Sequence, residues 1–181
     1  MFTHRHAVKA DIPALKAVMA RSIGILQRGF LTEAQIAASR GVMGLDTQLI
    51  ADRTYFVVES SGELAGCGGW SRRATLFGGD HTAGRDAALL NPATDAARVR
   101  AMYTSPDFAR RGVGRLVLSL CEAAAAEEGF TRAELAATLS GVPLYRACFY
   151  TEIEPFRAIH EGVEIPLIRM GKPLPPKAPK S

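Results

Sequence analysis

Met102-Tyr-Thr-Ser-Pro-Asp-Phe-Ala-Arg-Arg-Gly-Val-Gly-Arg-Leu116 organises the reading of the whole chain. Strand-forming residues give way to a loop rich in arginine and glycine, which opens directly onto an apolar-periodic helix. Such a junction points unpaired backbone N–H groups and the positive end of a helix dipole at one spot. Gly112 and Gly114 let a ligand come close to that backbone, while Arg110, Arg111 and Arg115 add positive charge. The combination suits a pyrophosphate. Taken alone, Arg110-Arg-Gly-Val-Gly-Arg115 is a short pattern that arises by chance, and an arginine-decorated turn in solvent is the competing reading.

Upstream, Ala97–Thr104 reads as a strand with Val99, Ala101 and Tyr103 on one face. Downstream, Gly114–Glu128 is a helix whose inner stripe carries Leu116, Val117, Leu120, Cys121 and Ala124, closed by Gly129. Thr131–Thr138 is a further strand, Val142–Tyr150 a short helix entered through Pro143, and Thr151–His160 and Glu164–Met170 two more strands. Before the junction, Thr54–Glu59 and Leu64–Trp70 form a hairpin turning at Gly62. The glycines of its second arm weaken it unless something lies close against that backbone. Nearer the N-terminus, His4–Lys9 is a strand, Asp11 caps a helix that has Pro13 in its first turn, and Thr32 caps another running to Ser39. Ser71–Asp95 is a long irregular surface excursion. Strands alternating with helices after a hairpin predict a three-layer α/β or α+β domain.

The 181 residues suit one domain, 48% hydrophobic and 22% charged, as in ordinary globular proteins. No apolar run approaches the roughly 20 residues that span a bilayer, and no secretory leader is expected from the first residues. Cys67, Cys121 and Cys148 are odd in number and set among apolar residues, which predicts reduced buried thiols and a cytoplasmic setting. The net charge of +4 owes much to Lys172, Lys177 and Lys180 in a Pro-rich segment. The reading is therefore a domain over residues 1–170 and a mobile tail over 171–181, with no membrane partner. Without a basic, aromatic-bearing face, nucleic acid is not expected as a partner either; binding through the tail is the weaker alternative.

From these residues the chain resembles the GNAT superfamily of N-acetyltransferases over roughly residues 4–170. The family's Gln/Arg-x-x-Gly-x-Gly/Ala motif falls on Ala109-Arg-Arg-Gly112-Val-Gly114, with Ala109 a departure at the first position. A second match, Gly141-Val-Pro-Leu-Tyr145, looks like the family's tyrosine-bearing helix. Ser140 stands where the family often has Asn, and Phe149-Tyr150 where Gly-Phe is usual. The resemblance implies a mixed, mostly antiparallel sheet of about six to seven strands with about four flanking helices. It implies acetyl-CoA as co-substrate and no metal. Met102, Tyr103, Thr104 and Ser140 would lie along the pantetheine arm, and Arg110, Arg111, Gly112, Val113, Gly114 and Arg115 around the diphosphate. Tyr145 would protonate the departing thiolate; an aromatic that merely fills the core is the plain alternative.

The chemistry implied is acetyl transfer to a small-molecule or peptide amine in a ternary complex. A lysine-like amine is mostly protonated at neutral pH, and its deprotonation costs about 4–5 kcal/mol. A general base or desolvation must relieve that cost. Glu59 is the first candidate base, followed by Asp80, His81 and Asp95, each equally readable as a solvated residue. The cysteines lack a local histidine to activate them, and His4 and His6 alone do not make a metal site. The walls Ile23–Gly44 and Ser71–Asp95 would shape the acceptor site. A non-catalytic acyl-CoA-binding regulatory module is the second functional reading, and a homodimer is compatible with either.

Overall fold

The computed structural model describes residues 1–176. Seven strands form one sheet: β1 (Thr3–His6), β2 (Tyr55–Ser60), β3 (Glu63–Ser71), β4 (Ala97–Thr104), β5 (Arg132–Thr138), β6 (Thr151–His160) and β7 (Val163–Pro173). Their order is β1-β2-β3-β4-β5-β7-β6, and every pairing is antiparallel except β4 with β5. Five α-helices cover the sheet: α1 (Ile12–Leu26), α2 (Glu33–Val42), α3 (Thr47–Ala51), α4 (Val113–Glu127) and α5 (Val142–Ala147). This is the expected mixed architecture, with the short α3 as an added helix.

Alternation along β2 sets the layers. Phe56 and Val58 face a core shared with Val117, Leu118 and Cys121 of α4 and Tyr145 of α5. Tyr55 and Val57 face the opposite core, with Leu15 and Met19 of α1 and Leu49 of α3. A third cluster packs Ala38 and Val42 of α2 on Ile165 and Leu167 of β7. The two hairpin turns carry paired positive φ values at Ser61–Gly62 and Glu161–Gly162, the conformation whose twist matches antiparallel strands. The glycines of β3 do receive a close neighbour. A Cβ on Gly66 would stand 2.5 Å from Val113, and one on Gly68 2.6 Å from Val117, so α4 lies directly on the strand.

Three expectations are corrected. Val99 does not share a face with Ala101 and Tyr103: it joins the α4-side core, whereas those two pack against the α1-side core. An extra residue causes this. Cys67 pairs with Tyr103 and Gly69 with Arg100, so Ala101 and Met102 together oppose Gly68. Asp11 stands at the N-cap position of α1, but its side chain makes no capping hydrogen bond to that helix; a 3-10 turn at Lys9–Asp11 precedes it, and the carboxylate accepts from the Val8 N–H at 2.8 Å and pairs with Arg5. The ordered chain passes residue 170: β7 runs to Pro173, Leu174 is buried, and Lys172 pairs with Glu122 at 2.8 Å. The rest of the expected tail, 177–181, lies outside the described residues.

The excursion 71–95 is irregular as expected, but it is anchored. Arg73 donates to both oxygens of Asp52, at 2.7 and 3.0 Å, and Gln48 adds a third bond at 2.8 Å. The Arg73 hydrogen bonds hold the Asp52 carboxyl below its ordinary range, against the opposing effect of burial. A depressed folded-state value means stabilisation that is present above the unfolded value near about 3.9 and is lost as pH falls through the folded value. Asp52→Asn should therefore lower the melting temperature at neutral pH, and its deficit relative to wild type should vanish in acid. Thermal melts across that range check this.

Candidate active site

β4 and β5 pair only at Ala97–Ala133 and Arg98–Glu134 and then part. The cause lies on the neighbouring edge, where the extra residue bends β4 just past this point. Ala101 takes a φ of +50°, and the Tyr55 hydroxyl donates to its carbonyl at 2.7 Å. Beyond Arg98, β4 has no ladder with β5, and two cavities occupy the gap. The larger, about 670 Å³, runs from the end of α1 past Met102–Thr104 to the loop before α4 and to α5. The smaller, about 90 Å³, is a slot of mixed polar and apolar lining that reaches Val99, Leu135 and Leu167 and includes Arg100 and Thr138. Met43, Met102, Tyr103, Thr138 and Tyr145 border both, so the two meet there.

At the far end of the large cavity, Arg110 and Gly112 have φ of +63° and +86°, which curl the loop into the first turn of α4. No side chain caps that helix, so the N–H groups of its first turn are offered to a ligand. Gly112 has nothing within 4 Å of where a Cβ would stand. The volume lies within the range of cofactor pockets, roughly 300–1,000 Å³. The site therefore fits an elongated ligand with an anionic end.

The candidates from the sequence divide. Met102, Tyr103, Thr104, Arg110, Gly112, Val113, Gly114, Arg115, Ser140 and Tyr145 all border the large cavity. Val113 can offer only backbone, because its side chain is buried under β3. Arg111 turns away and stacks over Phe108 and Phe2 at 5.0 and 5.7 Å. Glu59 borders neither cavity; it lies on the β1–β2 ladder opposite Thr3 and pairs with Arg5 at 2.9 Å. Asp80 accepts from Thr47, and Asp95 from the Asn91 N–H. His81 rests against Gly44, which borders the slot, but does not line it.

Tyr145 is buried, its hydroxyl pointing to the Met102 sulfur at 3.8 Å and its ring edge-on to Tyr150. Burial pushes its phenol well above the ordinary tyrosine value, so it holds its proton at neutral pH. Cys67 also borders the cavity, but burial pushes its thiol up to about 12, which removes it as a nucleophile. Ser140 and Thr138 exchange a hydroxyl hydrogen bond at 3.1 Å, and Thr138 accepts from the Gly141 N–H.

Sequence reasoning passed over Gln27 and Arg100. Gln27 is a buried amide ending α1 and bordering the large cavity; a polar residue closing an apolar helical stripe was its one signal. Arg100 is a buried strand arginine bordering the slot, and nothing local marked it as different from Arg98. It donates to Asp46 at 3.1 Å and to the carbonyls of Thr75 and Gly78. That fastens the excursion over the slot, where Leu76 and Phe77 form the roof. Both segments expected as walls do supply lining residues. Among the described residues, no group of three or more His, Cys, Asp or Glu could hold a metal ion. No helix among the described residues is long and apolar enough to cross a membrane.

Because Arg111 acts on rings and not on the cavity, Arg111→Ala should lower unfolding free energy by about 0.5–1 kcal/mol, measured in urea. Arg110→Ala, exposed and without an ion pair among the described residues, should leave it unchanged.

Comparison with known proteins fits this geometry. The chain is similar to the GCN5-related N-acetyltransferase from Rhodopseudomonas palustris, with 17% identity over 95% of each chain and a TM-score of 0.70. It is similar to the PaiA N-acetyltransferase of Thermoplasma acidophilum in complex with coenzyme A (12% identity, 96% and 99% coverage, TM-score 0.65). It is similar too to a phosphinothricin acetyltransferase of Sinorhizobium meliloti in complex with AcCoA (19% identity, 96% and 88% coverage, TM-score 0.63). At these identities the likeness is one of fold. No curated protein sequence matches the chain. A family model does, over residues 28–149, from the α1–α2 loop through the helix-start amides to α5. On that match, the chain belongs to the acetyltransferase (GNAT) family.

Proposed function

We propose that the protein transfers an acetyl group from acetyl-CoA to an amine by direct attack in a ternary complex, with Tyr145 as general acid. One observation carries this reading: a single cavity joins the free amides at the start of α4 to the Tyr145 hydroxyl along the unpaired stretch of β4. The structures of family proteins holding coenzyme A or AcCoA support the choice of donor.

When bound, acetyl-CoA supplies an activated thioester. The amides of Val113, Gly114 and Arg115, aided by Arg110 and Arg115, hold its diphosphate at the helix N-terminus. The backbone of Met102–Thr104, without a β5 partner, offers hydrogen bonds to an extended arm and a donor where charge develops on the carbonyl oxygen. Tyr145, kept protonated by burial, gives its proton to the leaving sulfur. Among the described residues, neither cavity is bordered by a carboxylate or histidine.

A regulatory acyl-CoA sensor would need the α4 amides but not the tyrosine. Tyr145→Phe should slow thiol release more than about tenfold while leaving acetyl-CoA affinity unchanged. Gly112→Val, forcing a β-branched residue to positive φ, should weaken that affinity by about tenfold or more. Calorimetry and a thiol-reagent assay over an amine panel measure both. Tight binding with no turnover on any amine would favour the sensor.

A further inference from the structure

The polar side chains that border the slot between β4 and β5 are Arg100, Tyr103, Thr138 and Tyr145. All but one are already engaged. Arg100 donates to Asp46 and to the carbonyls of Thr75 and Gly78. Thr138 exchanges a hydrogen bond with Ser140 and accepts from the Gly141 N–H. The Tyr145 hydroxyl points to the Met102 sulfur, and the transfer reserves its proton for the leaving thiolate.

Tyr103 is left. Two other tyrosines show what a phenol confined to the interior does: Tyr55 donates to the Ala101 carbonyl, and the Tyr150 oxygen is sealed from solvent. Tyr103 differs on both counts. It is only partly buried, its hydroxyl donates to no group among the described residues, and its oxygen is not one of the sealed polar atoms. The voids that Tyr103 borders are the two joined cavities, so the hydroxyl opens into them. The Gly44 N–H, in the loop after α2, approaches the oxygen from one side. Burial raises the phenol above its ordinary value, so at neutral pH it is an uncharged hydroxyl and not a base.

Its direction matters as well. Met102 packs with Tyr145 against the α4-side core, whereas Tyr103, the next residue, packs against the α1-side core. The two hydroxyls therefore reach the gap from opposite faces of the sheet. With the departing sulfur at Tyr145, the approach left for the attacking amine is the one that Tyr103 borders.

We propose that Tyr103 binds the acceptor: an N–H of the attacking amine donates to the Tyr103 oxygen, which aims the nitrogen lone pair at the thioester carbon. This rests on the acetyl-transfer reading and names the side chain that receives its second substrate. The new N–C bond forms as the C–S bond breaks. The sulfur takes the Tyr145 proton, and the surplus proton on nitrogen returns through solvent to the phenolate.

Acetyl transfer by the full chain at neutral pH is measured over benzylamine, butylamine, glucosamine, lysine and spermidine, and the amine used best carries the comparison. Tyr103→Phe removes one oxygen and keeps the ring. It should raise that amine's KM by about fivefold, with kcat within about twofold and acetyl-CoA affinity in calorimetry unchanged. Tyr145→Phe should show the opposite split, with kcat lowered and the amine KM kept. Because the Tyr103 hydroxyl donates to no protein group, the melting temperature of Tyr103→Phe should equal that of wild type. An unchanged amine KM, or a marked loss of melting temperature in Tyr103→Phe, would overturn the proposal. So would a fall in kcat at constant KM, which would place the hydroxyl on the thioester carbonyl and not on the amine. Turnover of none of these amines by wild-type protein that binds acetyl-CoA would instead remove the acetyl-transfer reading, and this proposal with it.

Discussion

One extra residue in β4 is the constraint from which the site follows. Two residues, Ala101 and Met102, oppose Gly68 alone, and the strand bends where its ladder to β5 ends. The same irregularity turns Tyr103 toward the α1 side while Met102 stays under α4. A regular β4 would continue its parallel pairing with β5 past Arg98, and the gap that holds both cavities would close. Tyr55 fixes the bend from beneath through its bond to the Ala101 carbonyl.

The bend and the helix start are mechanically linked through β3. Gly66 and Gly68 admit Val113 and Val117, one turn apart on α4, against bare backbone. This close approach sets the first turn of α4 at the far end of the cavity that β4 opens. On the other face, Arg100 and Asp46 join β4 to the start of α3 and to the excursion. Burial lowers the Arg100 value from its ordinary level while Asp46 acts in the opposite direction, as expected for a guanidinium held in the interior by a partner. The walls of the cleft are therefore rigid parts of one packed structure.

Much of this was readable from residue order. The strand–loop–helix junction, the hairpin turning at Gly62, the Thr32 cap and the Tyr145 helix each rest on local chemistry, and local chemistry is what a sequence displays. The bend was not readable, because Ala101 has no residue-level mark of a positive φ and its alternation with Val99 looks regular. Glu59 misled because its partner, Arg5, comes from a strand 54 positions earlier. The tail was drawn too long because Lys172 and Leu174 look like linker residues until Glu122 and the α4-side core are placed beside them. Gln27 meets the sulfur of Met43, the residue that ends α2, a contact that no spacing rule reveals.

The central claim is that a ligand lies along the unpaired stretch of β4 with its anionic end on the first turn of α4. Amide hydrogen exchange with and without coenzyme A tests it most directly. The account predicts slowed exchange at Met102–Thr104 and Val113–Leu116 on ligand addition. Bound coenzyme A with unchanged exchange at those amides, and protection confined to other segments, would contradict it.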